Sequence, residues 1–198
     1  SAFLIKYELT PNTAVALFIP DTYEVSWDMD AEELFERMKK EYDRFWNDER
    51  KEKAAQIPMT AVEVSTLASI VEEETNSKSE RPMVAGLYIN RLKTEMPLQA
   101  DPTVKFAYGD FGLRRITGTH LRIQSPYNTY KNKGLPPGPI RLATASGIHA
   151  VLNYSKHNYI FMCAKETLNG EHNFAATWAQ HTVNAARYQK ALNERGIR

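Results

Sequence analysis

A chain of 198 residues with 42 % apolar content fits one core-building domain, or one domain with an appendage, and a net charge of +1 supplies no field for drawing it onto nucleic acid or an anionic membrane surface. The single cysteine, Cys163, excludes an intramolecular disulfide and sits in the apolar run 159–164, where it reads as a buried, inert thiol. No run has the length of a membrane span, and no basic-then-apolar leader opens the sequence.

In chain order, residues 3–9 and 14–19 read as short extended pieces broken by Thr10-Pro11-Asn12, an opening expected of a chain cut from a longer one. Pro20-Asp21-Thr22-Tyr23 is a turn, with Asp21 as a turn-former. Asp30, followed three residues on by Glu33, is a capping box that starts a long amphipathic helix carrying Leu34, Met38, Tyr42 and Phe45 on its buried side. The charged stretch 47–53 reads as its solvated continuation. Thr60 with Glu63 repeats the capping signal, placing a central helix from about Ala61 to 75–77. Ser79 is expected to cap a third helix, with Pro82 in its first turn and Val84, Leu87, Tyr88 and Leu92 buried. The few residues between the two helices predict a helical hairpin.

From Met96 the texture changes. Residues 97–104 form a Pro-flanked loop leading into a short helix at 104–108, and the Gly- and Pro-rich stretches at 125–130 and 134–140 fix loop shapes rather than regular elements. Residues 143–153 predict a helix, 158–164 and 171–174 two strands joined through the Asn169-Gly170 turn, and 177–193 a final amphipathic helix stopped by Gly196. The fold class is α+β: helix-rich, with a helical hairpin, a small β-sheet and Gly/Pro-rich loops. There is no internal repeat and no low-complexity tract.

The stretch 67–75 organises the candidate chemistry. Each helical residue turns by roughly 100°, so Val64, Leu67, Ile70 and Val71 form one apolar stripe and Glu74 falls on it, while Glu72 and Glu73 are expected on the flanks or in solvent. A carboxylate that faces a core either finds a partner or keeps its proton to a higher pH, and the protonated state is what a general acid needs near neutrality. Glu72 takes that place if the helix ends early and its faces rotate.

The five histidines lack HExxH or paired i, i+4 spacing and there is no cysteine pair, so the pattern supports no zinc site. Phosphate-loop and dinucleotide fingerprints are absent; prolines occupy the Gly134–Gly138 stretch where a phosphate cradle needs free N–H groups. Ser69 lacks a nucleophile-elbow context. What remains is carboxylate chemistry in a polar and aromatic surround: Glu74, Gln99, Asp101, Tyr127, Asn128, Tyr130 and His172. Such a set suits a carbohydrate, which offers hydroxyls to Asn, Gln and Asp and an apolar face to Tyr, and glycosidic cleavage needs a carboxylic acid beside the bridging oxygen.

The segments 67–75, Ser79-Glu80-Arg81, Ile89-Asn90-Arg91-Leu92, 98–104, Tyr127-Asn128-Thr129-Tyr130 and 134–140, with Pro20-Asp21-Thr22-Tyr23 and Glu171-His172-Asn173-Phe174 in the same order, resemble the YceG-like endolytic murein transglycosylases over most of the chain. The resemblance implies a lytic transglycosylase, a cell-envelope lyase cutting within peptidoglycan glycan strands. It implies a single-pass inner-membrane protein with an outward-facing catalytic domain; the anchor is absent from this chain and the fragment as given is expected to be soluble. Residues 1–26 would be an N-terminal extended segment, a remnant of a preceding LysM-like module, and residues 27–198 the catalytic domain.

The family's catalytic glutamate is the last acidic residue before Thr75, which is Glu74. The implied reaction is lytic: Glu74 protonates the oxygen joining N-acetylmuramic acid to N-acetylglucosamine, then takes the proton from the muramic 6-hydroxyl as it closes onto C1. No water is consumed, so one carboxylate serves and no metal or cofactor is needed. Gln99 and Asp101 either line the cleft or hold the Pro-flanked loop; Tyr127, Asn128 and Tyr130 are expected to touch substrate, and His172 is either a strand histidine or a proton shuttle. Glu80 is a first-turn helix charge or a partner of Arg91, and Asn90 and Arg91 orient the loop. Peptidoglycan strands, and cell-wall synthases with them, are the implied partners, with no nucleic acid. Two other readings stay open: a hydrolytic muramidase using Glu74 with Asp101, and a peptidoglycan-binding module without catalysis.

Overall fold

Two capping boxes set the frame of the molecule. In the computed structural model, which describes residues 2–113 and 116–196, the chain opens with α1 (Ala2–Lys6) and a 3-10 turn at Ala14–Leu17 before the first box. There the Asp30 carboxylate accepts from the N–H groups of Glu32 and Glu33, Glu33 reaches back to the Asp30 N–H, and α2 (Ala31–Phe45) begins. Asn47 caps α3 (Asp48–Gln56). The second box, Thr60 with Glu63, starts α4 (Ala61–Glu74), and α5 (Arg81–Lys93) folds back to complete the predicted hairpin. Then come α6 (Asp101–Tyr108), a 3-10 turn at His120–Arg122, α7 (Ala145–Leu152), β1 (Phe161–Ala164), β2 (His172–Ala175) and α8 (Trp178–Glu194). The strands pair antiparallel, Phe161 opposite Ala175 and Ala164 opposite His172. Eight helices and one two-stranded sheet among the described residues make an α+β fold, as the sequence pattern predicts.

The core is built around α4. Every residue from Val64 to Glu72 is buried, with α5, α6 and α7 packed about it; a helix apolar through most of its circumference belongs in the middle of a fold. The long chains of Leu67, Ile70, Leu87, Ile89, Leu98 and Ile148 are closed to solvent there. A smaller cluster of Leu17, Phe35 and Met38 sits under α1 and the first turn, with Leu4, Tyr7 and Leu9 against it. No single helix among the described residues is long and apolar enough to cross a membrane.

Several sequence expectations need correcting. The opening residues are helical, not extended: Leu4, Tyr7 and Leu9 pack against the cluster that includes Phe35 and Met38 of α2, and Tyr7 lies on Phe35 with ring centroids 4.9 Å apart. On α2 the inward stripe is set by Phe35 and Met38, leaving Leu34 39 % exposed. The charged stretch 47–53 belongs to a separate helix, α3, which buries Ala54 and lays the Arg50 guanidinium 4.3 Å from the Phe45 ring centroid. Ser79 does not cap α5; its hydroxyl bonds Ser77, and the Glu80 carboxylate at the cap position is turned elsewhere. The first strand begins only at Phe161, because Asn90 captures the carbonyls of His157 and Tyr159 at 2.8 and 3.0 Å and holds that segment in an irregular path.

That segment lies so close to α5 that Gly86 has no room for a side chain: a Cβ there would overlap the Ser155 carbonyl and stand 2.6 Å from His157 Nε2. Gly86→Ala is expected to destabilise the fold by about 2 kcal/mol, against the gain that alanine brings to an open helix, as measured by urea unfolding.

Candidate functional site

Helix α4 ends on three consecutive carboxylates in three different environments. Glu72 is 4 % exposed; its Oε1 accepts from Arg81 at 2.8 Å and from the Thr144 hydroxyl at 2.6 Å, and its Oε2 from the Thr144 N–H at 2.9 Å. Glu73 is half-exposed and paired with Arg141 at 2.7 Å. Glu74 turns into a pocket and receives one hydrogen bond, from the Tyr88 hydroxyl at 2.7 Å.

The pocket, about 220 Å³, gathers groups from distant parts of the chain. Tyr88 and Arg91 come from α5, Gln99 from the loop before α6, Asp101 from its first turn, Tyr130 from the following loop, and Met162, Cys163, Ala164 and His172 from the sheet. Gln99 adopts φ +52°, a left-handed conformation unfavourable for a residue with a side chain, and its N–H is tied to the Thr129 carbonyl at 3.0 Å. Asp101 accepts from the Tyr130 hydroxyl at 2.6 Å. Arg91 is 8 % exposed and spends its donors on backbone: Nε on Ile160 O at 2.7 Å and Nη1 on Leu98 O at 2.6 Å, so one guanidinium ties the strand segment to the loop that carries Gln99.

Burial pushes the Glu74 carboxyl up to about 7. The Tyr88 bond works against that rise, the Asp101 charge adds to it, and His172 and Arg91 oppose it. Burial and the neighbouring Glu74 charge raise Tyr88 well above its ordinary value, and burial followed by the Asp101 bond does the same for Tyr130, so both hydroxyls remain donors at neutral pH. The arrangement presents a carboxyl poised between its two protonation states at the wall of a polar pocket.

A family model described as the YceG-like family matches residues 4–187. This chain belongs to the YceG-like family. Among its relatives are proteins named endolytic murein transglycosylase from Bacillus subtilis strain 168, 44 % identical over 130 residues (66 % of this chain, 35 % of that protein), and from Streptococcus pneumoniae strain D39, 34 % identical over 134 residues (66 % and 24 %). The chain therefore spans between a quarter and about a third of these relatives' length. A crystal structure of a YceG-like protein from Listeria monocytogenes aligns with a TM-score of 0.76 at 32 % identity, covering 92 % of this chain and 62 % of that one.

In this YceG-like chain the pocket brings together Glu74, Arg91, Gln99, Asp101, Tyr130 and His172 from the residues singled out in the sequence. It does not include Tyr127 or Asn128, two of the residues expected from the sequence to touch substrate. Tyr127 is 8 % exposed and packed on Phe106 with centroids 4.7 Å apart. The Asn128 side chain is fully buried, giving its amide protons to Leu121 O and Ile123 O and accepting from the Tyr130 N–H at 3.0 Å; it shapes the loop that delivers Tyr130.

Glu80 is not a partner of Arg91. It accepts from the Thr75 hydroxyl at 2.9 Å, from the His172 N–H at 2.7 Å and from His172 Nδ1 at 2.8 Å, so it fixes the imidazole at the pocket and joins the end of α4 to β2. Asn90 faces away, toward residues 157–159. Glu72 is neither on a solvent flank nor available as the acid, since both its oxygens are occupied inside the core. The residue that sequence reasoning missed is Tyr88, read there only as a core position; the available signal was a hydroxyl on the buried face of the partner helix, which has to find an acceptor. Among the described residues no group of three or more His, Cys, Asp or Glu is placed to hold a metal ion.

A carboxyl titrating near 7 in the native state, against 4.5 as its ordinary value, binds more protons folded than unfolded. The stability it contributes is complete below the unfolded value and is lost as pH rises through 7. Glu74→Gln, which cannot ionise, is expected to match the parent near pH 4 and to exceed it by about 1–3 kcal/mol at pH 8. Denaturant unfolding at the two pH values checks both the sign and the window.

Proposed function

We propose that this chain carries the cleaving centre of an endolytic murein transglycosylase, with Glu74 as acid and then base. The observation that carries the reading is Glu74 itself: a desolvated carboxyl with one hydrogen bond, facing a polar pocket and titrating near 7. The protonated carboxyl gives its proton to the oxygen between muramic C1 and the O4 of the next N-acetylglucosamine, and that C–O bond breaks. The resulting carboxylate removes the proton from the muramic 6-hydroxyl as its oxygen bonds to C1. The products are a 1,6-anhydro-muramic end and a free 4-hydroxyl; no water enters, and Glu74 ends protonated as it began.

Tyr88 holds the carboxyl in place, and its hydrogen bond favours the carboxylate form on which the second step depends. Asp101, fixed by Tyr130, and His172, fixed by Glu80, line the same wall and meet the sugar hydroxyls with Gln99. The names of the relatives support a peptidoglycan substrate and a place in the bacterial cell envelope; the proposal puts the chain on the outward-facing side of the inner membrane, among the synthases that make the strands. Asp101 gives the hydrolytic reading its one specific support, since a second carboxylate stands in the same pocket.

The full-length protein carrying this domain is the material for the test. Digestion of purified glycan strands is expected to yield 1,6-anhydro-muramic ends by mass spectrometry; reducing ends carrying ¹⁸O from labelled water contradict the lytic scheme. Glu74→Gln is expected to lower the rate by about 10³-fold while leaving glycan binding intact. Tyr88→Phe is expected to move the alkaline limb of kcat/KM to higher pH, because the hydroxyl that favours the carboxylate is gone.

A further inference from the structure

A second cavity, about 370 Å³, opens beside the first. It begins one residue away on two elements: Glu73 lines it where Glu74 lines the first, and Pro102 lines it where Asp101 does. Its walls are aromatic and apolar, with Ile140, Phe106 and Phe111; Phe106 is held by Tyr127 and meets the Phe111 ring with centroids 6.4 Å apart, while Phe111 stays 73 % exposed. Two cations complete it. Arg141 places Nη1 on Glu73 at 2.7 Å with both side chains half in solvent, and Lys105 has no ion-pair or hydrogen-bond partner among the described residues. Lys105 therefore leaves this cavity with one unmatched positive charge, next to a first pocket whose carboxylates are Glu74 and Asp101.

The difference in charge has a chemical counterpart in the substrate. The sugar backbone of peptidoglycan, alternating N-acetylated hexosamines, is neutral. Its anions are the carboxylates of the peptide stems, attached to the muramic residue through the lactyl group, and these stems also carry short aliphatic side chains. An unpaired ammonium, a guanidinium with N–H groups to spare and an apolar aromatic wall match such a stem, since charge-assisted hydrogen bonds to carboxylate are the strong ones and the apolar wall receives the methyl groups.

We infer that this second cavity binds the carboxylate-bearing peptide stem of the muramic residue at the cleavage site, through Lys105 and Arg141, so that the domain selects peptide-bearing over stripped glycan. The inference rests on the glycan reading of the first pocket. It adds a specificity determinant in the cavity lined by Glu73 and Pro102, the chain neighbours of Glu74 and Asp101.

The test measures binding to the full-length Glu74→Gln protein, in which turnover is blocked. The probes are two muramyl tetrasaccharides, one with its tetrapeptide stems and one whose lactyl carboxyls end in neutral methylamides, titrated calorimetrically. The peptide-bearing probe is expected to bind about tenfold tighter, and that advantage is expected to disappear in a second protein that also carries Lys105→Glu. Lys105→Met, which removes the charge without reversing it, is expected to lose part of the advantage, and thermal unfolding of each variant reports whether its fold is retained. Equal binding of the two probes, or an advantage that survives Lys105→Glu, overturns the inference and leaves the glycan reading standing. Binding of neither probe overturns both.

Discussion

The buried pair between Glu72 and Arg81 is the constraint from which the rest of the structure follows. Arg81 opens α5 and Thr144 caps α7, so the Glu72 carboxylate ties three helices to one point at the end of α4. The approach is close enough that a side chain on Gly147 would stand 2.6 Å from Glu72 Cδ. A buried ion pair adds little net stability over well-packed apolar residues, but removing one partner leaves a charge stranded in the core, so the pair specifies one arrangement of its helices. With Glu72 fixed, the direction in which the next two carboxylates leave the helix is fixed as well.

Three adjacent residues of one type then acquire three behaviours from their surroundings. Glu72 is saturated with donors, Glu73 shares a surface pair with Arg141, and Glu74 lies partly buried at the pocket wall with one hydroxyl in contact. Environments that separate the behaviour of like groups are how a protein assigns acid and base roles. Behind the pocket wall the same economy recurs. Arg91 joins loop to strand through carbonyls, Asn128 closes its own loop, and Glu80 spans Thr75 and His172.

Much of this was legible in the sequence, for local reasons. The capping boxes at Asp30 and Thr60 declare their helices because cap and third residue satisfy each other without help from the rest of the fold. The short link between α4 and α5 declares the hairpin, and the motifs shared with the YceG-like family point to Glu74, Asp101 and His172. What stayed hidden depends on packing at long range. On α4, buried nearly all round, the apolar stripe does not separate core from flank, so it singles out Glu74, which lines the pocket, but misplaces Glu72 in solvent. Tyr127 and Asn128 carry the chemistry of a sugar site, yet a Tyr ring finds Phe106 and an Asn amide finds loop carbonyls, and neither outcome is written in the local pattern. The opening segment is apolar enough for a strand, but with no strand beside it among the described residues, its residues pack onto α2 as a short helix instead.

The measurement that bears most directly on this account is an NMR titration of the Glu74 side-chain carboxyl carbon in the intact protein, assigned by comparison with Glu74→Gln. The account predicts a midpoint near 7, set by burial against the Tyr88 bond and the charges of Asp101, His172 and Arg91. A midpoint at the ordinary glutamate value of about 4.5 would mean a solvated carboxylate, and would contradict the claim that the end of α4 holds a proton for use at neutral pH.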